Sequence, residues 1–167
     1  MNKKRILFVC MGNICRSPAA EAIMNKTIKD KNLSNVIEVD SAGTIDYHTG
    51  ETADARMKRS AEKKGYKIDS IARQFNMYHD FKNFDYIVTM DDENFEDIAS
   101  MDFQNIYGDK IFRMVDFCDT CKTNEIPDPY YSGFSGFEKV IEMLEDATSG
   151  LLNKVMDDIK QFDKKEN

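Results

Sequence analysis

Long apolar runs are missing from this sequence, and their absence argues against a membrane-spanning helix. No stretch approaches the roughly 20 consecutive apolar residues that such a helix needs. The apolar run at residues 6–9, which follows a basic patch at residues 3–5, is too short for the hydrophobic part of a secretory signal. Repeats, low-complexity segments and linkers rich in Pro, Gly or Ser are missing too. We therefore expect a cytoplasmic protein without membrane insertion, formed by residues 1–167 as a single domain in which residues 163–167 are a flexible charged tail.

A net positive charge is also absent. The chain has 23 basic and 30 acidic side chains, which give a formal net charge of −7. Proteins that bind nucleic acids usually present a basic surface to the phosphate backbone, so this composition argues against a nucleic-acid partner. It does not argue against binding a single phosphate group, because backbone amides and one arginine can hold an anion within an acidic protein.

Side chains that commonly bind metal ions are few. The chain has two histidines and four cysteines: His48, His79, Cys10, Cys15, Cys118 and Cys121. The C-x-x-C spacing of Cys118 and Cys121 would need two more ligands for a structural zinc ion, and the sequence offers neither a second C-x-x-C nor a close histidine pair. We therefore expect no metal and no cofactor, and slightly prefer a dithiol switch to zinc at this pair.

Short apolar runs alternate with helical patterns along the chain. Four runs have the length and composition of buried strands: residues 6–9, 36–39, 84–90 and 111–115. Three segments have helical patterns: residues 18–24, 52–64 and 137–159. The acidic run at 91–93 suits the start of a further helix. This alternation predicts an α/β fold, in which a four-stranded, mostly parallel, twisted sheet is flanked by helices on both faces.

The segment after the first strand predicts a phosphate-binding loop. Functional crevices in parallel sheets lie beyond the carboxyl ends of the strands, where Cys10 stands directly before a helix. Gly12 and Asn13 tolerate the positive φ that a sharp turn needs. Arg16 offers a rigid fork of donors that matches two phosphate oxygens. The backbone N–H groups that can surround the anion belong to Met11, Gly12, Asn13, Ile14, Cys15 and Arg16.

Cys10 is the predicted nucleophile. A helix N-terminus and converging N–H groups stabilise a thiolate, and Ser17 can donate its hydroxyl to it. Ser17 can also cap the helix, with Pro18 at the first helical position. A single cysteine at a strand end is usually a small buried hydrophobic residue. A cysteine followed six residues later by Arg-Ser, with Gly-Asn between, is much harder to obtain by chance.

A second segment, residues 127–129, supplies the candidate general acid. Asp128 lies between two prolines that restrict the backbone. Taken alone, Pro-Asp-Pro is a stiff surface turn, but beside the Cys10 loop the interpretation as an acid is favoured. Tyr130 and Tyr131 follow, and they predict an aromatic wall for a slot that is deep enough for phosphotyrosine.

These segments together resemble the low-molecular-weight protein tyrosine phosphatases. Residues 10–17 look like the signature loop of that family, and further resemblances follow at four segments: residues 41–44, 72–74, 84–91 and 128–131. The resemblance implies hydrolysis of phosphotyrosine proteins or peptides, and of small aryl phosphates, through a phosphocysteine on Cys10. Asp128 would protonate the tyrosyl oxygen and then activate water. Inorganic phosphate and other tetrahedral oxyanions are implied as competitive ligands.

The resemblance also implies roles for residues around the loop. Asn13, Ser17 and Ser41 would form a supporting network, and Ser70 stands where the family often has a histidine. Tyr47 stands where the family carries a residue of the substrate wall, so it is expected to line the slot with Tyr130 and Tyr131. Cys15 is expected to be a redox partner that condenses with the oxidised nucleophile into a disulfide.

Two alternatives stay open. Arsenate reductases can use a similar loop and fold, but they need resolving cysteines near the third strand, and residues 80–100 contain none. A non-catalytic phosphate-binding module is the other alternative, and such a module is expected to lack at least one of Cys10, Arg16 and Asp128. Among phosphatase substrates, Ile14 favours phosphotyrosine, because relatives that act on phosphoarginine tend to carry threonine there.

Overall fold

The computed structural model describes residues 3–166, and its centre is a four-stranded sheet. The strands are β1 (Lys4–Cys10), β2 (Ile37–Gly43), β3 (Tyr86–Thr89) and β4 (Ile111–Arg113). They lie in the order β2–β1–β3–β4, and every neighbouring pair is parallel. The predicted α/β fold with a four-stranded parallel sheet is confirmed.

Strand β1 lies inside the sheet because its apolar run is buried on both faces. Ile6 and Phe8 pack into one core, and Leu7 and Val9 pack into the other. All four side chains are fully buried. The alternation follows from the pleat of the strand, which sends successive side chains to opposite faces. Pairing with β2 and β3 satisfies the backbone groups that this burial removes from water.

Five helices within residues 3–166 cover the two faces: α1 (Arg16–Asp30), α2 (Ala55–Lys63), α3 (Asp80–Asn83), α4 (Asp92–Met101) and α5 (Phe134–Glu166). Helices α1, α2 and α5 contribute to the core that contains Ile6, whereas α3 and α4 contribute to the core that contains Leu7. The predicted helices on both faces are therefore present.

Helix α5 is longer than its apolar pattern predicts. It runs through Glu166 and so includes most of the segment 163–167 that was expected to be a charged tail, while Asn167 lies outside the described residues. A pair of Lys154 and Asp158, four residues apart, stabilises the helix beyond its most apolar part. Despite its 33 residues, neither α5 nor another helix within residues 3–166 is apolar enough to span a membrane.

Several element boundaries differ from the prediction, and the pairing partners explain the differences. The second strand continues to Gly43 rather than residue 39, because β2 pairs with β1 along its whole length, up to Cys10 opposite Gly43. The third strand is shorter than residues 84–90. The fourth ends at Arg113, where a 3₁₀ turn at Met114–Phe117 begins.

Candidate active site

The carboxyl ends of the central strands meet at one edge of the sheet, and the predicted site residues collect there. Cys10 ends β1 and is 3% exposed, and the loop after it leads into α1 at Arg16. A cleft of about 300 Å³ opens at this edge. Its lining consists of Cys10, Met11, Gly12, Ile14, Cys15, Arg16, Ile45, Tyr47, His48, Asp128, Tyr130 and Tyr131. The structure thus brings the predicted nucleophile, arginine, acid and wall tyrosines into one cleft.

Asn13 allows the loop to turn. Its φ is +56°, in the left-handed region that asparagine tolerates better than most residues. Gly12 was predicted to share this role, and that prediction is wrong, because the positive-φ glycines of the described chain are Gly50 and Gly65. A Cβ at Gly12 would instead lie 2.9 Å from the ring of His48, so a larger residue here would displace that ring.

Asn13 also sets the direction of the hydrogen bonds beneath the nucleophile. Its Oδ1 accepts from the backbone N–H of Arg73 at 3.0 Å. Because that group can only donate, Nδ2 is the atom that faces Ser17 Oγ at 2.8 Å and Ser41 Oγ at 2.9 Å. Both hydroxyl oxygens accept from Asn13, so the hydroxyl proton of Ser17 can point at Cys10 Sγ, 3.0 Å away, or at the carbonyl oxygen of Ala42, 3.4 Å away, and the contact with Cys10 is the shorter one. The structure therefore brings together the three residues predicted to support the loop.

Ser17 does not cap helix α1. The helix begins one residue before it, at Arg16, and the N-cap residue is Cys15, whose side chain makes no capping hydrogen bond. The Ser17 hydroxyl is committed to Asn13 and Cys10 instead. The prediction of a Ser17 cap is wrong because this side chain bonds to Asn13 and Cys10 rather than to the backbone of the helix.

The network continues to Glu21, which the sequence analysis missed. Ser41 Oγ donates to Glu21 Oε2 at 2.5 Å, and burial raises the pKa of the Glu21 carboxyl above its ordinary value. Glu21 lies four residues after Ser17 on α1, and this helical spacing was the available signal. Ser70 stands beside Glu21, and its hydroxyl partly offsets the rise in the pKa of that carboxyl. Its contact with Glu21 does not have the geometry of a standard hydrogen bond, so Ser70 extends the network only weakly.

Arg16 is fixed at the floor of the cleft. Its side chain is 3% exposed, and NH1 donates to Asp91 Oδ2 at 2.5 Å and to the carbonyl of Ile126 at 3.1 Å. Burial alone would lower the pKa of Arg16, but Cys10, Asp91 and Asp128 together raise it above the ordinary value. Because the guanidinium stays charged and NH1 is occupied, its other donors remain for an anion in the cleft.

Asp91 has a second role that the sequence analysis missed. Its Oδ1 accepts from the backbone N–H of Asn94 at 2.7 Å and so caps α4, as its acidic surroundings predict. Its Oδ2 holds Arg16. The contact between Asp91 and Arg16 could have been expected from the topology, because the residues that follow the neighbouring strands β1 and β3 lie at the same edge of the sheet.

Gly43, the last residue of β2, supports the loop from the neighbouring strand. A Cβ at this position would lie 2.7 Å from the carbonyl oxygen of Met11 and 3.1 Å from the nitrogen of Asn13. The first distance is too short for a real Cβ and its partner is backbone, so the loop packs here against glycine. The resemblance at residues 41–44 predicted no role for Gly43.

Asp128 lies at the side of the cleft. Its side chain is 37% exposed, and Oδ2 is 3.5 Å from Arg16 NH2. Its Oδ1 accepts from the backbone N–H of Tyr130 at 3.0 Å. Two residues earlier, Ile126 donates its N–H to the carbonyl of Met90 at 2.8 Å and accepts from Arg16. These hydrogen bonds tie the acid segment to the end of β3 and to Arg16.

The three tyrosines form the upper walls of the cleft. Tyr131 and Tyr47 are strongly exposed, whereas Tyr130 is 36% exposed. The rings of Tyr130 and Tyr131 meet edge to face at 5.0 Å. Arg56, which is paired with Asp54 at 2.8 Å, lies over the Tyr130 ring at 5.2 Å. Arg56 and Tyr131 therefore brace Tyr130, and the ring of Tyr47 meets that of His48 edge to face at 4.8 Å.

Cys15 lies in the same cleft and is a free thiol like Cys10. It is 5% exposed. Burial raises the pKa of the Cys15 thiol, and the nearby carboxylate of Asp54 raises it further. Cys15 is therefore expected to be a protonated neighbour of Cys10, the predicted nucleophile.

Known proteins share both the sequence and the fold. The family model for low molecular weight phosphotyrosine protein phosphatase matches residues 5–162. A Synechocystis sp. protein, provisionally named a low molecular weight protein-tyrosine-phosphatase, is 46% identical over 151 residues, or 90% of this chain and 96% of that protein. The human low molecular weight phosphotyrosine protein phosphatase is 37% identical over 90% of this chain and 95% of its own. A crystal structure of a protein tyrosine phosphatase from Entamoeba histolytica matches with a TM-score of 0.89 at 50% identity, covering 93% of this chain and 98% of that one. The chain therefore belongs to the low molecular weight phosphotyrosine protein phosphatase family.

Proposed function

We propose that this phosphatase hydrolyses phosphotyrosine in proteins or peptides through a covalent phosphocysteine on Cys10. The observation that carries the proposal is a single cleft in which Cys10, Arg16 and Asp128 lie beneath aromatic walls. The same groups suffice for small aryl phosphates, because the chemistry needs only a phosphate and an aryl leaving group.

In the first step, the Cys10 thiolate attacks phosphorus while the bond from phosphorus to the tyrosyl oxygen breaks. The Ser17 hydroxyl, 3.0 Å from Sγ, stabilises the thiolate before attack. The N–H groups of residues 11–16 and the free donors of Arg16 stabilise the charge on the phosphate oxygens. Asp128 gives its proton to the departing tyrosyl oxygen.

In the second step, Asp128 acts as a base. It takes a proton from water while the water oxygen attacks phosphorus and Cys10 leaves as a thiolate. The Arg16 guanidinium, 3.5 Å from Asp128, stabilises the ionised carboxylate that this step requires. Inorganic phosphate is then released, and it should compete with substrate for the same donors. The Entamoeba histolytica relative holds Hepes in its active site, and the tetrahedral sulfonate of that buffer supports oxyanions as ligands of the cleft.

The walls favour a long aromatic substrate. A phosphotyrosine ring can pack between Tyr47 and Tyr130 while its phosphate reaches the loop. The shorter side chain of phosphoserine would have to bring its own backbone into the slot between these rings. Ile14, which also lines the cleft, keeps the inner part of the slot apolar.

We further infer that Cys15 protects the nucleophile during oxidation. An oxidised Cys10, as a sulfenic acid, would condense with the Cys15 thiol to give a disulfide and water. Because burial raises the pKa of Cys15, its thiol stays protonated and reacts slowly with oxidants, so Cys10 must be the first of the two to be oxidised.

The direct test of the mechanism is to trap the intermediate. Quenching the enzyme in acid during turnover of p-nitrophenyl phosphate should leave one phosphoryl group on the peptide that contains Cys10. Turnover should be unchanged by EDTA, since each step above uses only side chains, backbone amides and water. Phosphate found on a different residue, or activity that EDTA abolishes, would contradict the mechanism. Reduction of arsenate by the same preparation would favour the alternative reductase.

Replacing Asn13 by alanine should lower kcat/KM by about 10- to 100-fold. The change removes the amide that orients Ser17 towards Cys10, and it places alanine at a φ of +56°, which costs about 1–2 kcal/mol. Asn13→Gly is the matched control, because glycine accepts this φ but also lacks the amide. Steady-state kinetics and thermal unfolding of both variants separate the two effects. Full activity of Asn13→Gly would show that the amide is dispensable.

A further inference from the structure

Cys118 and Cys121 form a disulfide outside the active site. Their Cα atoms are 5.5 Å apart, a separation typical of disulfides. Neither cysteine lines the active-site cleft, and the phosphatase mechanism uses neither of them. The bond closes a tight turn directly after the 3₁₀ turn at Met114–Phe117.

Asp146 on helix α5 binds the backbone of this turn. Asp146 accepts from the backbone N–H of Asp119 at 3.2 Å, from that of Thr120 at 2.8 Å and from the Thr120 hydroxyl at 2.7 Å. The side chains of Cys118 and Cys121 pack on the core that α5 helps to form. Because Asp146 satisfies the polar groups of the turn, the cysteines are anchored to a rigid element of the fold.

The segment that follows leads directly into the active site. Ile126, five positions after Cys121, is fully buried, and its carbonyl accepts from Arg16 at 3.1 Å. Its N–H donates to Met90 at 2.8 Å, and Asp128 follows two positions later. The disulfide therefore fixes Cys121 to the turn that α5 anchors, and residues 122–125 are the chain that connects it to Ile126, the first fixed residue of the acid segment.

Cys121 is accessible from a cavity of about 290 Å³ on the outer side of the turn. The cavity is lined by Thr120, Cys121, Lys122, Thr123, Lys139, Glu142 and Met143. Lys122 and Lys139 supply ammonium groups to this cavity, while Glu142 lines it and Asp146 Oδ2 lies 3.9 Å from Cys121 Sγ. The two lysines can pair with the carboxylates of a small anionic disulfide that enters the cavity.

We propose that Cys118 and Cys121 form a reversible thiol–disulfide site, that a small anionic disulfide oxidises it, and that the closed form restrains the acid segment. The Cys121 thiolate attacks one sulfur of the reagent, which forms a mixed disulfide and releases one small thiol. The Cys118 thiolate then attacks the Cys121 sulfur and expels the second small thiol. The two protein thiols lose two electrons and two protons, and the reagent becomes two thiols. Only the restraint on catalysis rests on the proposed role of Asp128.

The first experiment follows the bond itself. The double variant Cys10→Ser, Cys15→Ser is equilibrated with glutathione and glutathione disulfide, and free thiols are alkylated for peptide mass mapping. We expect complete and reversible conversion to the Cys118–Cys121 disulfide. Adding Cys118→Ser should trap one glutathione on Cys121, whereas adding Cys121→Ser should leave most of Cys118 free. Thiols that stay reduced, or a reduced protein whose two sulfurs carry stoichiometric zinc, would overturn the proposal.

The second experiment measures the restraint. The wild-type protein is first oxidised in the presence of phosphate, which covers Cys10. Its kcat/KM on phenyl phosphate and on p-nitrophenyl phosphate is then compared with that of the Cys118→Ser, Cys121→Ser variant. This variant, which cannot form the disulfide, should have a kcat/KM roughly threefold lower on phenyl phosphate and little changed on p-nitrophenyl phosphate. Phenolate is the poorer leaving group, so its departure depends more on protonation by the acid. Treatment with the same oxidant should not change kcat/KM of the Cys118→Ser, Cys121→Ser variant on either substrate. Equal losses on both substrates, or none, would overturn the restraint. If wild type lacked any dependence on Asp128, the mechanism itself would have failed, and the mass mapping would stand independently.

Discussion

Replacing Cys10 by serine is expected to lower kcat for p-nitrophenyl phosphate and for a phosphotyrosine peptide by at least ~10⁴-fold. Serine fits the space, but its hydroxyl is not ionised at neutral pH, so no anion is available to attack phosphorus. The hydrogen bond from Ser17, 3.0 Å from the sulfur, stabilises a thiolate and cannot generate an alkoxide. Steady-state kinetics over a long time course measures the residual rate.

Binding of phosphate separates this loss from damage to the loop. The loop amides and Arg16 do not depend on the sulfur, so Cys10→Ser should still bind phosphate or vanadate in a calorimetric titration. Cys15→Ser is the matched control, since this cysteine belongs to the same loop and is equally buried. It should keep turnover within a few-fold of wild type. Turnover above about one per cent in Cys10→Ser would show that the attacking group lies elsewhere.

The parts of the fold that the sequence predicts are the parts with local causes. The apolar run at residues 6–9 predicts a buried strand, because only a parallel strand covered on both faces accepts four apolar residues in succession. The phosphate-binding loop that follows can be predicted from the sequence because Cys10, Asn13 and Arg16 lie within one short segment. The positive φ of Asn13 follows from its side chain, and the structure has it at +56°.

The parts that the sequence does not predict depend on distant partners. Asp91 reads as a helix cap, and its bond to Arg16 joins residues 75 positions apart. The role of Gly43 depends on Met11 and Asn13, which only the pairing of β2 with β1 brings within reach. Sheet order and register decide such contacts, and a single sequence states neither of them.

The error at Ser17 has a different cause. Serine before Pro-Ala-Ala is a standard helix start, so local propensity favours a cap. The structure uses the hydroxyl for Asn13 and Cys10 and begins the helix without a side-chain cap. Local rules fail in this way where a side chain has a catalytic duty, and such failures can themselves mark a site.

Replacing Asp128 by asparagine should lower kcat/KM for phenyl phosphate by about 10²- to 10³-fold. Asparagine keeps the shape, and its amide oxygen can still accept the N–H of Tyr130, which bonds Asp128 at 3.0 Å. It can neither give nor take a proton. Phosphate binding should be retained, because Arg16 keeps its bonds to Asp91 and Ile126. Glu125→Gln, which removes an exposed carboxylate from the same segment, is the matched control and should be nearly neutral.

The dependence on the leaving group identifies the acid. In a two-step mechanism kcat/KM reports the step in which the phenol leaves, so the loss in Asp128→Asn must grow as the phenolate becomes more basic. The kcat/KM of Asp128→Asn should therefore fall much less for p-nitrophenyl phosphate than for phenyl phosphate. A variant whose loop is displaced would instead lose the same factor in kcat/KM on both substrates. Equal losses would place Asp128 among the residues that shape the cleft. The proton would then have to come from water or from another group that lines the cleft, and His48 would be the next side chain to replace.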